Sequence, residues 1–147
     1  MQLVFGHDAA VAAWVASRIP HVGTAEAFGP LAAIGVARGG ELIAGCVYHN
    51  YLAPYAIGEL SFAASSARWA TRGNIRDMLA IPFRQYAWRR VSCVVRHDNA
   101  RVARLLTGLG FKREGAAREM FSSKPKVHGV VYGMLSREYD ALVERFR

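Results

Sequence analysis

The chain has 147 residues, enough for one domain that buries a core without help from a disulfide or a metal. With 52% hydrophobic and 20% charged residues it is not a disordered chain, and no apolar run approaches the roughly 18 residues of a membrane span. The net charge of +8 implies an anionic partner, which charge alone leaves open as nucleic acid, a membrane surface or a phosphorylated cofactor.

The first residues lack a basic stretch ahead of their apolar run, and Asp8 interrupts that run, so no signal peptide is expected. Leu3–Phe5 reads as a short strand. Asp8 is placed to cap a helix whose apolar stripe is Val11, Trp14, Val15 and Ile19, with Pro20 as its stop. His21–Pro30 reads as a loop. Three strands follow: Leu31–Arg38, then Glu41–Leu52 after a Gly39-Gly40 hairpin turn, then Ile57–Ala64. Short turns between them predict antiparallel pairing.

From Thr71 to Trp88 the period becomes helical, with Ile75, Met78, Leu79, Phe83 and Tyr86 on one face. Pro82 inside that stretch predicts a kink or a split at Ile81. Val91–Val95 alternates as a strand. Ala100–Leu109 follows as a helix, with Gly110 as its terminating glycine and Phe111 as the accompanying hydrophobic contact. Glu114–Phe121 and Val127–Leu135 read as strands joined around Lys124-Pro125-Lys126, and Ser136–Phe146 as a last helix. This order predicts a single mixed α/β (α+β) domain spanning residues 1–147, one central, mostly antiparallel sheet with helices on both faces.

Cys46 and Cys93 stand far apart in apolar runs and read as small core residues, which fits a reducing, cytoplasmic setting. The five histidines show no metal-ligand spacing, so no metal is expected. The charge is lopsided. Residues 68–147 carry 17 basic and 7 acidic side chains, whereas residues 1–67 carry Arg18 and Arg38 against Asp8, Glu26, Glu41 and Glu59. An anion should therefore meet the second half. Of the 19 basic residues 16 are Arg, a bias that codon usage alone can produce.

The most informative block runs from Asp98 to Gly115. Asn99 is followed by Gly110-Phe111, then by Glu114-Gly115 and Arg118, and the run Val130–Glu138 comes later. This pattern resembles the GNAT superfamily of acyl-CoA-dependent N-acyltransferases, and within it the type that acetylates ribosomal-protein N-termini. The resemblance spans roughly residues 31–138. It implies a fourth strand splayed from the fifth, with acetyl-CoA as co-substrate lying in the gap. The pantetheine arm would then meet the exposed backbone of Phe62, Ala63 and Ala64, and an amide near Phe62 and Ala63 would serve as oxyanion donor.

The resemblance places the pyrophosphate on the loop Ser65–Gly73, with Arg68, Trp69, Ala70, Thr71, Arg72 and Gly73 as candidate contacts. The family's glycine-rich cradle is missing there: Ala67 and Trp69 fall where glycines are expected. Arg68, Arg72 and Arg76 could supply charge in place of close backbone approach. Ordinary solvated charge is the plain alternative. Asn99 is a natural helix N-cap, and in the family it also approaches the pantetheine arm, with Val102 one turn on. The family's Tyr general acid falls at Leu106, which stays a candidate cofactor contact with Asn99 and Val102, so water or an unaided thiolate must replace the acid.

Transfer to an amine needs a base. Glu59 is the best-placed carboxylate, with Ser61 on the same strand face by the period of two. A solvated strand charge is the alternative reading of Glu59. Tyr48, His49 and Tyr51 are further candidates for base or acceptor lining, His97 reads as an exposed loop residue, and Glu114 and Arg118 as residues that position the last strands. The expected activity is acetyl transfer from acetyl-CoA to a primary amine, either a small molecule or a protein N-terminus. Two other readings compete: a module that holds CoA without turnover, and a basic nucleic-acid-binding domain, for which no nucleic-acid motif is present. A homodimer is compatible with the superfamily.

Overall fold

The computed structural model describes residues 1–147. Seven strands form one sheet in the order β1-β2-β3-β4-β5-β7-β6. They are β1 (Gln2–Val4), β2 (Leu31–Arg38), β3 (Glu41–Leu52), β4 (Ile57–Ala64), β5 (Arg90–Arg96), β6 (Lys112–Ser123) and β7 (Lys126–Leu135). Every neighbouring pair is antiparallel except β4 and β5, which run parallel. The helices are α1 (Asp8–Ala16), α2 (Arg72–Ala80), α3 (Ala100–Leu109) and α4 (Ser136–Arg145). No helix is long and apolar enough to cross a membrane.

Strand alternation divides the core in two. Ile34 and Val36 of β2, Cys46 and Tyr48 of β3, Leu60 of β4 and Val91, Cys93 and Val95 of β5 pack with α2, α3 and α4. The opposite face of β2 and β3, with Ala33 and Val47, receives α1 through Val11, Ala12, Val15 and Ala16. The helices thus cover both faces. Tyr48 fixes α2 to the sheet by donating its hydroxyl to the Met78 carbonyl at 2.6 Å, a bond that satisfies a fully buried phenol.

Local sequence explains most boundaries. Gly39 and Gly40 both take positive φ in the β2–β3 turn. Thr71 caps α2 by accepting the Asn74 amide at 3.1 Å. Pro82 ends the α-helix as expected: the chain continues as a wide turn over Ile81–Gln85, in which the Tyr86 amide reaches the Ile81 carbonyl. Gly110, at φ 101°, closes α3, and the Phe111 amide bonds back to the Leu106 carbonyl.

Two expectations shift. Asp8 is not the cap of α1. The His7 carbonyl already accepts the first helical bond, from Val11, so Asp8 lies inside the first turn, where its charge favours the positive end of the helix dipole. The helix ends at Ala16, before Ile19, and the following loop contains a short 3₁₀ turn over Ala25–Phe28 that buries Phe28.

Candidate functional site

β4 and β5 pair only at Ile57–Arg90, Gly58–Val91 and Glu59–Ser92, and then diverge. Beyond Glu59, β4 is bonded only to β3, by the register Val47–Ser61 through Ala44–Ala64. One backbone edge in the middle of the sheet is therefore left open. The gap is a cleft of about 710 Å³. It passes through the sheet: Arg18, Ile19, Pro20 and His21 line it from the α1 face, and Asn99, Arg101, Val102 and Leu105 line it from the α3 side. Two reactants can thus meet between the strands from opposite faces.

Of the residues singled out from the sequence, Ser61, Phe62, Ala63, Ala64, Trp69, Ala70, Asn99 and Val102 line this cleft. Asn99 holds both positions expected of it, because its side chain caps α3 by accepting the Val102 amide at 3.2 Å and it also borders the cleft. Glu59, Arg68, Thr71, Arg72, Gly73 and Leu106 do not line it. Glu59 lies in the closed part of the β4–β5 pair, one step below the point of divergence. Leu106 is 2% exposed and packs in the core, and Leu105 meets the cleft in its place. Arg72 lies over the Phe146 ring, 5.8 Å from its centroid.

The loop before α2 shows what replaces the missing glycines. It closes as a tight 3₁₀ turn over Ala67–Trp69. Its amides at Arg68, Ala70 and Thr71 are engaged within the loop, by Ser66 Oγ, the Ala67 carbonyl and the Trp69 carbonyl. Those three amides are therefore not free for an anion, which side-chain charge and the first-turn amides of α2 would help to hold.

Sequence reasoning missed the β5 wall, Cys93–Arg96, and the segment after α1, Arg18–His21. The β5 wall was findable: once β4 leaves β5, the residues of β5 facing the gap must line it. The Arg18–His21 segment carried no local signal.

The cleft wall holds Arg18, Arg96 and Arg101 and no carboxylate. Arg96 is paired with Asp98 at 3.0 and 2.9 Å, and Arg18 stacks over Trp14. Burial, helped by the nearby Arg96 charge, lowers the His21 pKa, so that His21 is neutral near pH 7. Cys93 lines the cleft, but burial pushes its thiol up to about 12, which makes it a poor nucleophile. No three His, Cys, Asp or Glu side chains converge to hold a metal ion.

Ser61 has a partner behind it. His49 of β3, 7% exposed, places Nε2 2.9 Å from Ser61 Oγ. Burial lowers the His49 pKa, while the nearby Glu59 charge acts the other way.

A seven-stranded sheet with one parallel pair that splays open, helices on both faces and an open β4 edge is the GNAT acetyltransferase fold. Solved structures of that fold superimpose on the chain. One, assigned only provisionally as an acetyltransferase, aligns with TM-score 0.70 at 23% identity over 88% of this chain and 77% of its own. The ribosomal-protein-S5-alanine acetyltransferase from Vibrio fischeri aligns with TM-score 0.69 at 14% identity over 94% of both chains. A mutant form of the spermidine/spermine N-acetyltransferase from Vibrio cholerae aligns with TM-score 0.68 at 16% identity over 80% of this chain and 77% of that one. No protein-family model and no curated protein sequence matches the chain.

Proposed function

We propose that this protein is an N-acetyltransferase that moves the acetyl group of acetyl-CoA directly onto a primary amine. The observation that carries the reading is the open β4 edge from Leu60 to Ala64 inside a cleft that crosses the sheet. An extended amide chain such as the pantetheine arm can bond to that edge as an added strand would. Ala63 and Ala64 leave room for it, and Phe62, Val102 and Leu105 supply an apolar wall. Arg101 and the first turn of α2 offer positive charge for phosphates at the rim. Backbone amides near Phe62 and Ala63 would stabilise the oxyanion. Leu106, buried in the core, has no proton to give, so the thiolate leaves without a side-chain acid.

The amine would enter from the α1 face, between Arg18–His21 and Ser61. Calorimetry with acetyl-CoA, followed by thiol release with alanyl-terminated peptides and spermidine as acceptors, tests the reading. Acetyl-CoA should bind with a Kd in the range of roughly 1 μM to 1 mM, the usual span of enzyme substrates. Thiol release should depend on the amine. Absence of acetyl-CoA binding would overturn the proposal, and binding without amine-dependent release would leave a module that holds CoA.

A further inference from the structure

His49 is the one buried side chain outside the aliphatic, sulfur-bearing and Phe, Tyr and Trp residues of the core. It lies on the α1 face of the sheet, opposite Leu31 of β2 and Glu59 of β4, with its ring 4.9 Å from that of Phe28. Nε2 meets Ser61 Oγ, while Nδ1 is sealed from solvent and has no hydrogen-bond partner. A buried ring nitrogen left unpaired costs stability that an apolar side chain would not. Packing alone does not account for a histidine here. Its one side-chain bond points to the residue of β4 that enters the cleft just past the point of divergence.

Resting on the acetyltransferase reading above, we propose that Ser61 and His49 form a proton relay. Ser61 Oγ takes the proton of the attacking amine while its own proton passes to His49 Nε2. The nitrogen enters neutral and forms the C–N bond to the acetyl carbon. The C–S bond breaks, with its electron pair leaving on sulfur as thiolate. The single proton shed by nitrogen rests on His49, and returns through Ser61 to the thiolate or to water when products leave. Glu59 does not line the cleft. It is a positioning residue, the one charge acting on His49, and it stabilises the imidazolium once formed. Leu31 and Phe28, on the neighbouring elements, bring no charge to the ring. Burial keeps His49 neutral near pH 7 and so ready to accept.

The relay requires one tautomer, with the proton on Nδ1 and the lone pair on Nε2. Ring ¹⁵N NMR of the full chain reads this without turnover. An unprotonated Nε2 in the wild type, altered in Ser61→Ala, is expected, whereas a proton on Nε2 donated to Ser61 overturns the relay. The result stands even if acetyl-CoA fails to bind, which would sink the acetyltransferase reading separately.

With an alanyl peptide as acceptor, kcat should fall on the order of 100-fold in Ser61→Ala and His49→Gln, the lower range for general-base catalysis, while KM for acetyl-CoA holds. The wild-type kcat should decline on the acid side at a pH below 6.5, the ordinary histidine value. That limb should vanish in His49→Gln and move to lower pH in Glu59→Gln. A limb unchanged in His49→Gln would reduce the pair to a structural contact. Radiolabelled acetyl retained on Ser61 without acceptor would replace the relay by an acyl-serine. Should His49→Gln fail to fold, Ser61→Ala and the NMR tautomer decide.

Discussion

Single residues carry more than one role in this cleft, and their surroundings decide which. Cys93 lies in the wall but is 4% exposed, and its thiol, like that of Cys46, is pushed up to about 12 by burial. The folded protein should therefore resist iodoacetamide at pH 8, with both cysteines modified only after denaturation. Mass spectrometry reads the difference, and stoichiometric labelling of the native chain would contradict it. The capping role of Asn99 was legible from its position before α3, and its place at the cleft from the family resemblance. Leu106 was not. It shares a helical stripe with Asn99 and Val102, yet the rotation of α3 against the sheet turns Leu106 into the core and Leu105 toward the gap. Sequence spacing gives the stripe, and packing chooses which of its residues meet a ligand.

At the scale of elements, close approach rather than propensity positions the parts around the cleft. A methyl group on Gly45 would lie 2.6 Å from Val15 and 3.0 Å from Val11, so α1 sits on β3 only because that residue has no side chain. Gly58, at the base of the β4–β5 pair, faces the Trp88 ring at a distance that leaves no room for a Cβ. Trp88 is itself buried and stacks on Tyr51. Gly58→Ala should destabilise the fold by about 1–3 kcal/mol, the usual cost of overpacking, measurable by chemical denaturation. An unchanged midpoint would mean that Trp88 can move aside. Strand and helix positions were readable because period-two and helical patterns were strong and Gly, Pro and Thr marked the ends. The wide turn at Ile81–Gln85 was readable only as a break at Pro82. Its form depends on burying Phe83, whose ring stacks on Tyr139 of α4.

For the whole molecule, the charge of +8 acquires a location. Arg18 and Arg101 line the cleft without a carboxylate partner, while Arg96 is paired with Asp98, so the field of the first two favours an anionic donor and disfavours a polycationic acceptor. An alanyl peptide should outperform spermidine in kcat/KM, most clearly near 20 mM salt, where the Debye length is about 20–30 Å and repulsion is least screened. Spermidine as the better substrate at low salt would refute this. Most basic residues lie elsewhere, on exposed faces such as Arg104 and Arg113. The sequence by itself determined the element order, the sheet class and the cysteines as core residues, which follow from local periodicity and from turn chemistry acting over a few residues. The β4 segment that borders the gap was marked only by the family resemblance, not by periodicity. Only the tertiary structure decided that Glu59 stays below the divergence while His49 stands behind Ser61. That choice depends on the register of β3 against β4 and on where β4 parts from β5, and both are set by packing between segments distant in the chain.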